Sequence, residues 1–284
     1  MIKKREAQVT RKKPHRAPAP ARRTRSRSRA SASAKPSSLA LIEGRRACIE
    51  ALEQGVSIAR ALIQKDLDAP EFSQLTQRLR AARVPLQEVD ADYLDSLSSH
   101  GAHQGVVLEI KPFVYTELKD ALKGLDPAAP ALVVVLDHLV DEGNLGACIR
   151  SAEIVGASAV VIPNARAASV GTGVYKTSAG AVLHIPIVRT SNLSRVLNDL
   201  KDEGFWVIGA SEHAEASAFD TPFEGRVCLV MGSEYAGISQ GIRNSCDFLC
   251  KLPQRGSIES LNVAQAATVM CYEWLRKNEG HFVE

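Results

Sequence analysis

The stretch Ala131-Leu132-Val133-Val134-Val135-Leu136-Asp137-His138-Leu139-Val140-Asp141-Glu142-Gly143-Asn144-Leu145-Gly146-Ala147-Cys148-Ile149-Arg150-Ser151-Ala152 decides the class of this chain. Its first six residues are continuously apolar, which suits a strand buried on both faces. Asp137 and His138 end the run, a polar loop follows, and a helix is expected over 145–155. Asn144 stands where an N-cap belongs. Gly146 leaves the first turn open to close approach, and Arg150 follows one turn later. Helical side chains lean toward the N-terminus, so Arg150 is expected to point back at the loop. A helix start with an inward arginine suits a phosphate. An ordinary capped helix with a surface arginine explains the same residues.

Working outward from this unit, strands are expected at 159–162, 182–188, 205–209, 227–231 and 248–252. Helices are expected at 192–201 and 261–277. Apolar runs separated by helices give a Rossmann-like α/β architecture with a parallel sheet over 130–284. Ligands in such sheets gather at the C-terminal ends of the strands. Residues 39–111 form a smaller α/β unit. Leu41, Ile42, Ala47, Ile49 and Leu52 mark a strand entering a helix, and Phe72, Leu75 and Leu79 mark a second helical face. Short strands are expected at 84–86 and 105–110. Residues 112–129, charged and bracketed by prolines, are expected to be a linker with a short helical stretch at 116–123.

Residues 1–38 are a basic tail, and their composition predicts disorder. Within 1–36 there are 13 Lys and Arg against Glu6 alone, or +12. The rest has 22 basic and 31 acidic residues, or −9, within the net +3 of the whole. Generic affinity for phosphate is therefore expected in the tail, and shape and chemistry in the body. The tail reads equally as an RNA-contacting arm or a solvated extension. A transit peptide is a third reading, which would place the protein in a mitochondrion or plastid.

The longest apolar run, 131–140, is broken by two polar residues and falls short of the ~20 residues of a membrane span. The basic N-terminus has no apolar segment of the secretory kind. Cys48, Cys148, Cys228, Cys246, Cys250 and Cys271 form no CxxC pair and suit buried thiols in a reducing compartment. A cytoplasmic location is the expectation.

Two further segments carry polar groups at strand ends. Met231-Gly232-Ser233-Glu234-Tyr235-Ala236-Gly237 leaves a buried strand, and the glycine permits close backbone approach to a ligand. Leu252-Pro253-Gln254-Arg255-Gly256-Ser257-Ile258-Glu259-Ser260-Leu261-Asn262-Val263 passes through a loop into a helix. Ser260 is expected as its N-cap, and Asn262 is then odd, because asparagine is poor inside helices. Other features weigh less. Gly171-Thr172-Gly173-Val174-Tyr175-Lys176-Thr177 hints at a phosphate loop without the Walker spacing. His100 and His103 have metal-like spacing with no third ligand, so a turn or an RNA contact suits them better and no metal is expected. No GxGxxG follows any strand.

Together the three strand-end segments resemble, in order and spacing, the signature motifs of the SpoU/TrmH family of RNA 2′-O-ribose methyltransferases in the SPOUT superfamily. The layout is most similar to its 23S rRNA guanosine branch; a tRNA 2′-O-methyltransferase of the same family and a non-catalytic RNA-binding ribosome-assembly factor that keeps the fold are the alternatives. The departure is Glu142-Gly143, where the family usually has proline and a variable residue. The resemblance extends into 39–111, which is similar to the family's L30e-like substrate-binding domain, including His103-Gln104-Gly105-Val106. It implies a trefoil-knotted catalytic domain, a homodimer, RNA as substrate and S-adenosylmethionine as methyl donor. Carried over by motif, Gly232, Leu252 and Leu261 would contact the cofactor. Asn144, Arg150, Glu234, Ser260 and Asn262 would form the catalytic and RNA-facing set. Arg150 is the residue credited with activating the hydroxyl. A guanidinium titrates above about 12, so phosphate binding and alkoxide stabilisation suit it better than proton abstraction.

Overall fold

A computed structural model describes residues 39–67, 69–98, 103–258 and 260–281. The basic tail and His100 lie outside them. The first lobe contains β1 (Ala40–Glu43), α1 (Arg45–Glu53), β2 (Ile58–Gln64), α2 (Pro70–Ala81), β3 (Leu86–Val89), α3 (Ala91–Leu97) and β4 (Val106–Ile110). Its sheet runs β1-β4-β2-β3, with β4 antiparallel to both neighbours and β2 parallel to β3. The sequence reading missed β2 and α3. In β2 Arg60 splits the apolar residues into Ile58-Ala59 and Ala61-Leu62-Ile63, so neither strand alternation nor a helical stripe stands out.

A short helix, α4 (Leu118–Ala121), leads into the second lobe. There follow β5 (Ala131–Leu136), α5 (Glu142–Ile154), β6 (Ala159–Pro163), α6 (Thr172–Thr177), β7 (Ile187–Thr190) and α7 (Leu193–Asp202). The chain continues through β8 (Trp206–Ala210), β9 (Ala216–Ser217), β10 (Arg226–Met231), α8 (Gln240–Arg243), β11 (Phe248–Lys251) and α9 (Val263–Asn278). The seven strands are ordered β7-β6-β5-β10-β8-β11-β9, and every pairing is parallel. The expected parallel sheet is present, and β5, β6 and β10 are almost wholly buried. In α7, Leu193, Val196, Leu197 and Leu200 make the buried stripe, and Asn192 caps the helix by accepting from Arg195 N at 3.0 Å.

Four expectations need correction. The strand expected over 182–188 is a 3-10 turn (Ala181–Leu183) followed by β7, because Gly180 at φ 91 and Pro186 interrupt the apolar run. The short strand expected at 84–86 forms at Leu86–Val89 instead, directly after Pro85, which cannot donate to a ladder. The segment 112–129, expected as a linker, packs against the larger sheet. Thr116 bridges Val188, the Tyr115 hydroxyl accepts from Val170 N at 3.0 Å, and Phe113 packs edge-on against Tyr115 and Tyr175. The fourth concerns the helix caps and belongs to the site. One apolar core continues from the small sheet through α1 and α6 to the face of the large sheet under α5 and α9.

Candidate active site

The site is built where β5, β10 and β11 end. At the end of β5, Asp137 is 1% exposed, and a buried carboxylate must be paired. It accepts from Ser239 N at 2.7 Å and from His138 Nδ1 at 2.5 Å. This ties the loop after β10 to β5, a job the sequence reading did not assign. Its signal was a charge abutting a continuous apolar strand.

The loop after β10 folds on itself: Ser233 N donates to Gly237 O at 3.1 Å, and Gly237 N returns to Ser233 O at 2.9 Å. A Cβ on Gly232 would stand 2.0 Å from the Gly237 carbonyl carbon. Glycine is thus required by the loop's own closure, before any ligand is considered.

α5 begins earlier than expected. Its N-cap is Asp141, whose Oδ1 accepts from Asn144 N at 2.7 Å, so Asn144 lies in the first turn and is not the cap. Its side chain is thereby free to act elsewhere. Asn144 Nδ2 donates to Glu234 Oε1, and Asn144 Oδ1 accepts from Asn262 Nδ2 at 3.0 Å. α9 begins later than expected: Asn262, not Ser260, is the cap, with Oδ1 accepting from Ala264 N at 2.9 Å and Gln265 N at 3.4 Å. The oddity of Asn262 is resolved, since it caps with its oxygen and reaches Asn144 with its amide nitrogen. The chain thus brings three of its distant motifs, at Asn144, Glu234 and Asn262, into one hydrogen-bonded line.

A cleft of about 550 Å³ adjoins this line. Gly232, Glu234, Leu252, Ser260, Leu261 and Asn262 line it, over an apolar floor that includes Met231, Val263 and Met270. The sequence reading missed Ser211, His213 and Arg243 on its walls. An apolar floor with a polar, backbone-rich rim fits S-adenosylmethionine, which carries a flat apolar-faced base beside polar ribose and amino-acid groups.

Arg150 is the member of the predicted set that the single chain does not deliver. It is exposed on α5, has no hydrogen-bond or ion-pair partner among the described residues, and does not line the cleft. Six residues separate it from Asn144, which turns it about 120° around the helix. Ile154, one turn on and 55% exposed, shares its face. Among the cysteines, burial pushes the Cys271 thiol up to about 12 and the Cys246 and Cys250 thiols to about 11, so none suits a nucleophile. Cys48, Cys148 and Cys228 are raised further by the same cause.

Comparison with known proteins gives the same result as the geometry. Residues 131–272 match the SpoU rRNA Methylase family, and residues 41–116 match the family described as RNA 2'-O ribose methyltransferase substrate binding. A Staphylococcus epidermidis protein assigned to the TrmH family of tRNA/rRNA methyltransferases is 34% identical over 238 residues, covering 84% of this chain and 95% of its own length. The SpoU methyltransferase AviRb of Streptomyces viridochromogenes, solved with its cofactor AdoMet, superposes with a TM-score of 0.73 at 27% identity. That alignment covers 84% of this chain and 90% of AviRb. A structure described as an RNA 2′-O ribose methyltransferase gives 0.71 at 28%, covering 84% and 88%. The chain belongs to the SpoU/TrmH family of S-adenosylmethionine-dependent RNA methyltransferases.

Proposed function

We propose that this protein methylates the 2′-hydroxyl of a ribose in RNA, with a guanosine of 23S rRNA as its target. The observation that carries the reading is the Asn144–Glu234–Asn262 line beside the cofactor cleft. S-adenosylmethionine supplies an electrophilic methyl on a sulfonium. The S–CH3 bond would break as the O–CH3 bond forms, leaving neutral S-adenosylhomocysteine, and the hydroxyl proton would pass to water.

The protein's part is alignment and charge. Asn144 uses one amide N–H and one oxygen lone pair internally, which leaves one donor and one acceptor site for a ribose. Glu234 holds the loop after β10 against α5, and Asn262 and Ser260 orient the ribose. Gly232, Leu252 and Leu261 hold the cofactor through their backbone. Arg150 binds the target phosphate and stabilises the developing alkoxide.

A homodimer accounts for the position of Arg150. α5 packs beside α9 through the Ser151–Thr268 contact, and α9 leaves Val269 and Tyr272 39% and 48% exposed. A second copy covering this apolar strip would enclose the arginine in a completed site. The parallel strand order, with β10 between β5 and β8, supports the knotted arrangement implied by the family. The family match over 41–116 supports substrate recognition by the first lobe, and the +12 tail adds nonspecific phosphate contacts. A cytoplasmic location fits the cysteine usage.

Mapping 2′-O-methyl groups on total RNA from cells with and without the gene tests the substrate. One site lost from 23S rRNA is the expected result, and a loss confined to tRNA would replace it with the tRNA reading. Arg150→Ala should cut turnover at least ~100-fold with cofactor binding intact. Near wild-type methylation by that variant would sink the arginine's role.

A further inference from the structure

The turn Gly171-Thr172-Gly173 has the composition of an anion-binding loop, and an internal anion already fills it. Gly173 N donates to Glu142 Oε2 at 2.9 Å. A Cβ on Gly171 would stand 2.7 Å from Glu142 Oε1, and one on Gly173 2.4 Å from Oε2. Both glycines therefore give the carboxylate its room. At the other end of α6, Thr177 Oγ1 donates to Gly173 O at 2.8 Å and to the backbone oxygen of Glu142 at 3.3 Å. The two helices are flush there, since a Cβ on Gly146 would stand 2.0 Å from Thr177 Oγ1. Glu142 is the first residue of α5, two before Asn144, and it is the point where the chain departs from the proline usual in its family.

The other side of α6 rests on the first lobe. Lys176 Nζ is 3.7 Å from Glu43 Oε1, and the Glu43 side chain is 1% exposed. His184, just beyond α6, meets Glu50 of α1 at 3.1 Å. α6 is thus wedged between the substrate lobe and the turn that carries Asn144.

We propose that Glu142 is a positioning residue for methyl transfer: its carboxylate, seated on the Gly173 amide, locks α6 to the first turn of α5 and so sets Asn144 against Glu234 and Asn262. A proline at this position stiffens the first turn by fixing φ. Here the stiffness comes from a hydrogen-bonded carboxylate, which also favours the positive ends of two helices. The inference rests on the assignment of Asn144 to the site.

The test uses the full chain with S-adenosylmethionine and whichever unmodified rRNA or tRNA transcript the wild type methylates. Glu142→Ala should slow single-turnover methylation at least ~10-fold, with cofactor Kd within about threefold of wild type, because misplacement costs rate more than ground-state binding. Glu142→Gln keeps an acceptor for Gly173 N–H and should recover most of the rate. Gly173→Ala displaces the carboxylate while leaving its charge, and should match Glu142→Ala. This variant also serves if Glu142→Ala fails to fold.

Glu142→Ala within twofold of wild type would overturn the proposal. So would Glu142→Gln as slow as Glu142→Ala, or cofactor affinity falling in step with rate. Asn144→Ala, measured alongside, separates the two levels. If it is fully active, the site assignment itself fails. If it is inactive while Glu142→Ala is unaffected, only the role of Glu142 fails.

Discussion

The starts of α5 and α9 face each other across the site and divide the same labour differently. At α5 the cap is Asp141, and Asn144, three residues on, is free to bond Glu234 and Asn262. At α9 a single residue does both jobs, Asn262 capping with its oxygen and reaching Asn144 with its nitrogen. With the roles proposed for Asn144 and Asn262, stability and chemistry are separable at α5 and fused at α9. Behind the two starts the helices are held together by Ser151 and Thr268, whose hydroxyls lie 2.7 Å apart, and by the buried Cys148 and Cys271.

Asn262→Ala is expected to give the largest compound effect. Losing the cap costs about 1 kcal/mol, and losing the amide that steadies Asn144 costs about 100-fold in turnover. Thermal unfolding and single-turnover methylation report the two parts. Asn262→Asp sharpens the comparison, because it keeps the capping oxygen and removes the donor. It should unfold near the wild-type temperature while remaining about as inactive as Asn262→Ala. Equal activity in Asn262→Asp and wild type would break the claim that α9 contributes chemistry.

Asp141→Ala makes the converse test. It should cost about 1 kcal/mol of stability, with a smaller loss of turnover than either Asn262 variant, since Asn144 keeps both side-chain partners. The smallest effect belongs to the thiols behind the two starts. With the Cys271 thiol raised to about 12 from an ordinary 9.0, its neutral form stabilises the fold fully below pH 9, and that contribution is lost as pH rises from 9 toward 12. Denaturant midpoints should therefore not respond to this group between pH 6 and 8. Thiol-reagent labelling of Cys148 and Cys271 there should be slow and track global unfolding.

The order of elements in the second lobe was legible because fully buried parallel strands such as β5 and β10 are unbroken apolar runs. β2 was not, because Arg60 splits its apolar residues into two short groups that do not alternate. The site motifs could be placed at strand ends, but their capping could not. Asp141, Asn144, Ser260 and Asn262 are all competent caps by type, and only the backbone geometry selects between them. Gly146 and Gly232 read as points of close approach, and in the fold each admits a neighbouring segment of the chain itself, which the sequence alone does not identify. The partner of Gly173 was beyond sequence reasoning altogether, since Glu142 lies 31 residues away. Arg150 lies outside the cleft because it follows Asn144 by six residues and so sits on the exposed face of α5.

The central claim is that the Asn144–Glu234–Asn262 line directs methyl transfer to a ribose hydroxyl. The most direct measurement is nucleoside mass spectrometry of RNA methylated by wild type and by Asn144→Ala, with cofactor affinity measured calorimetrically for both. Wild type should yield a 2′-O-methylated nucleoside, and Asn144→Ala about 100-fold less at unchanged cofactor affinity. A methyl group on a base, or equal product from the two proteins, would contradict it.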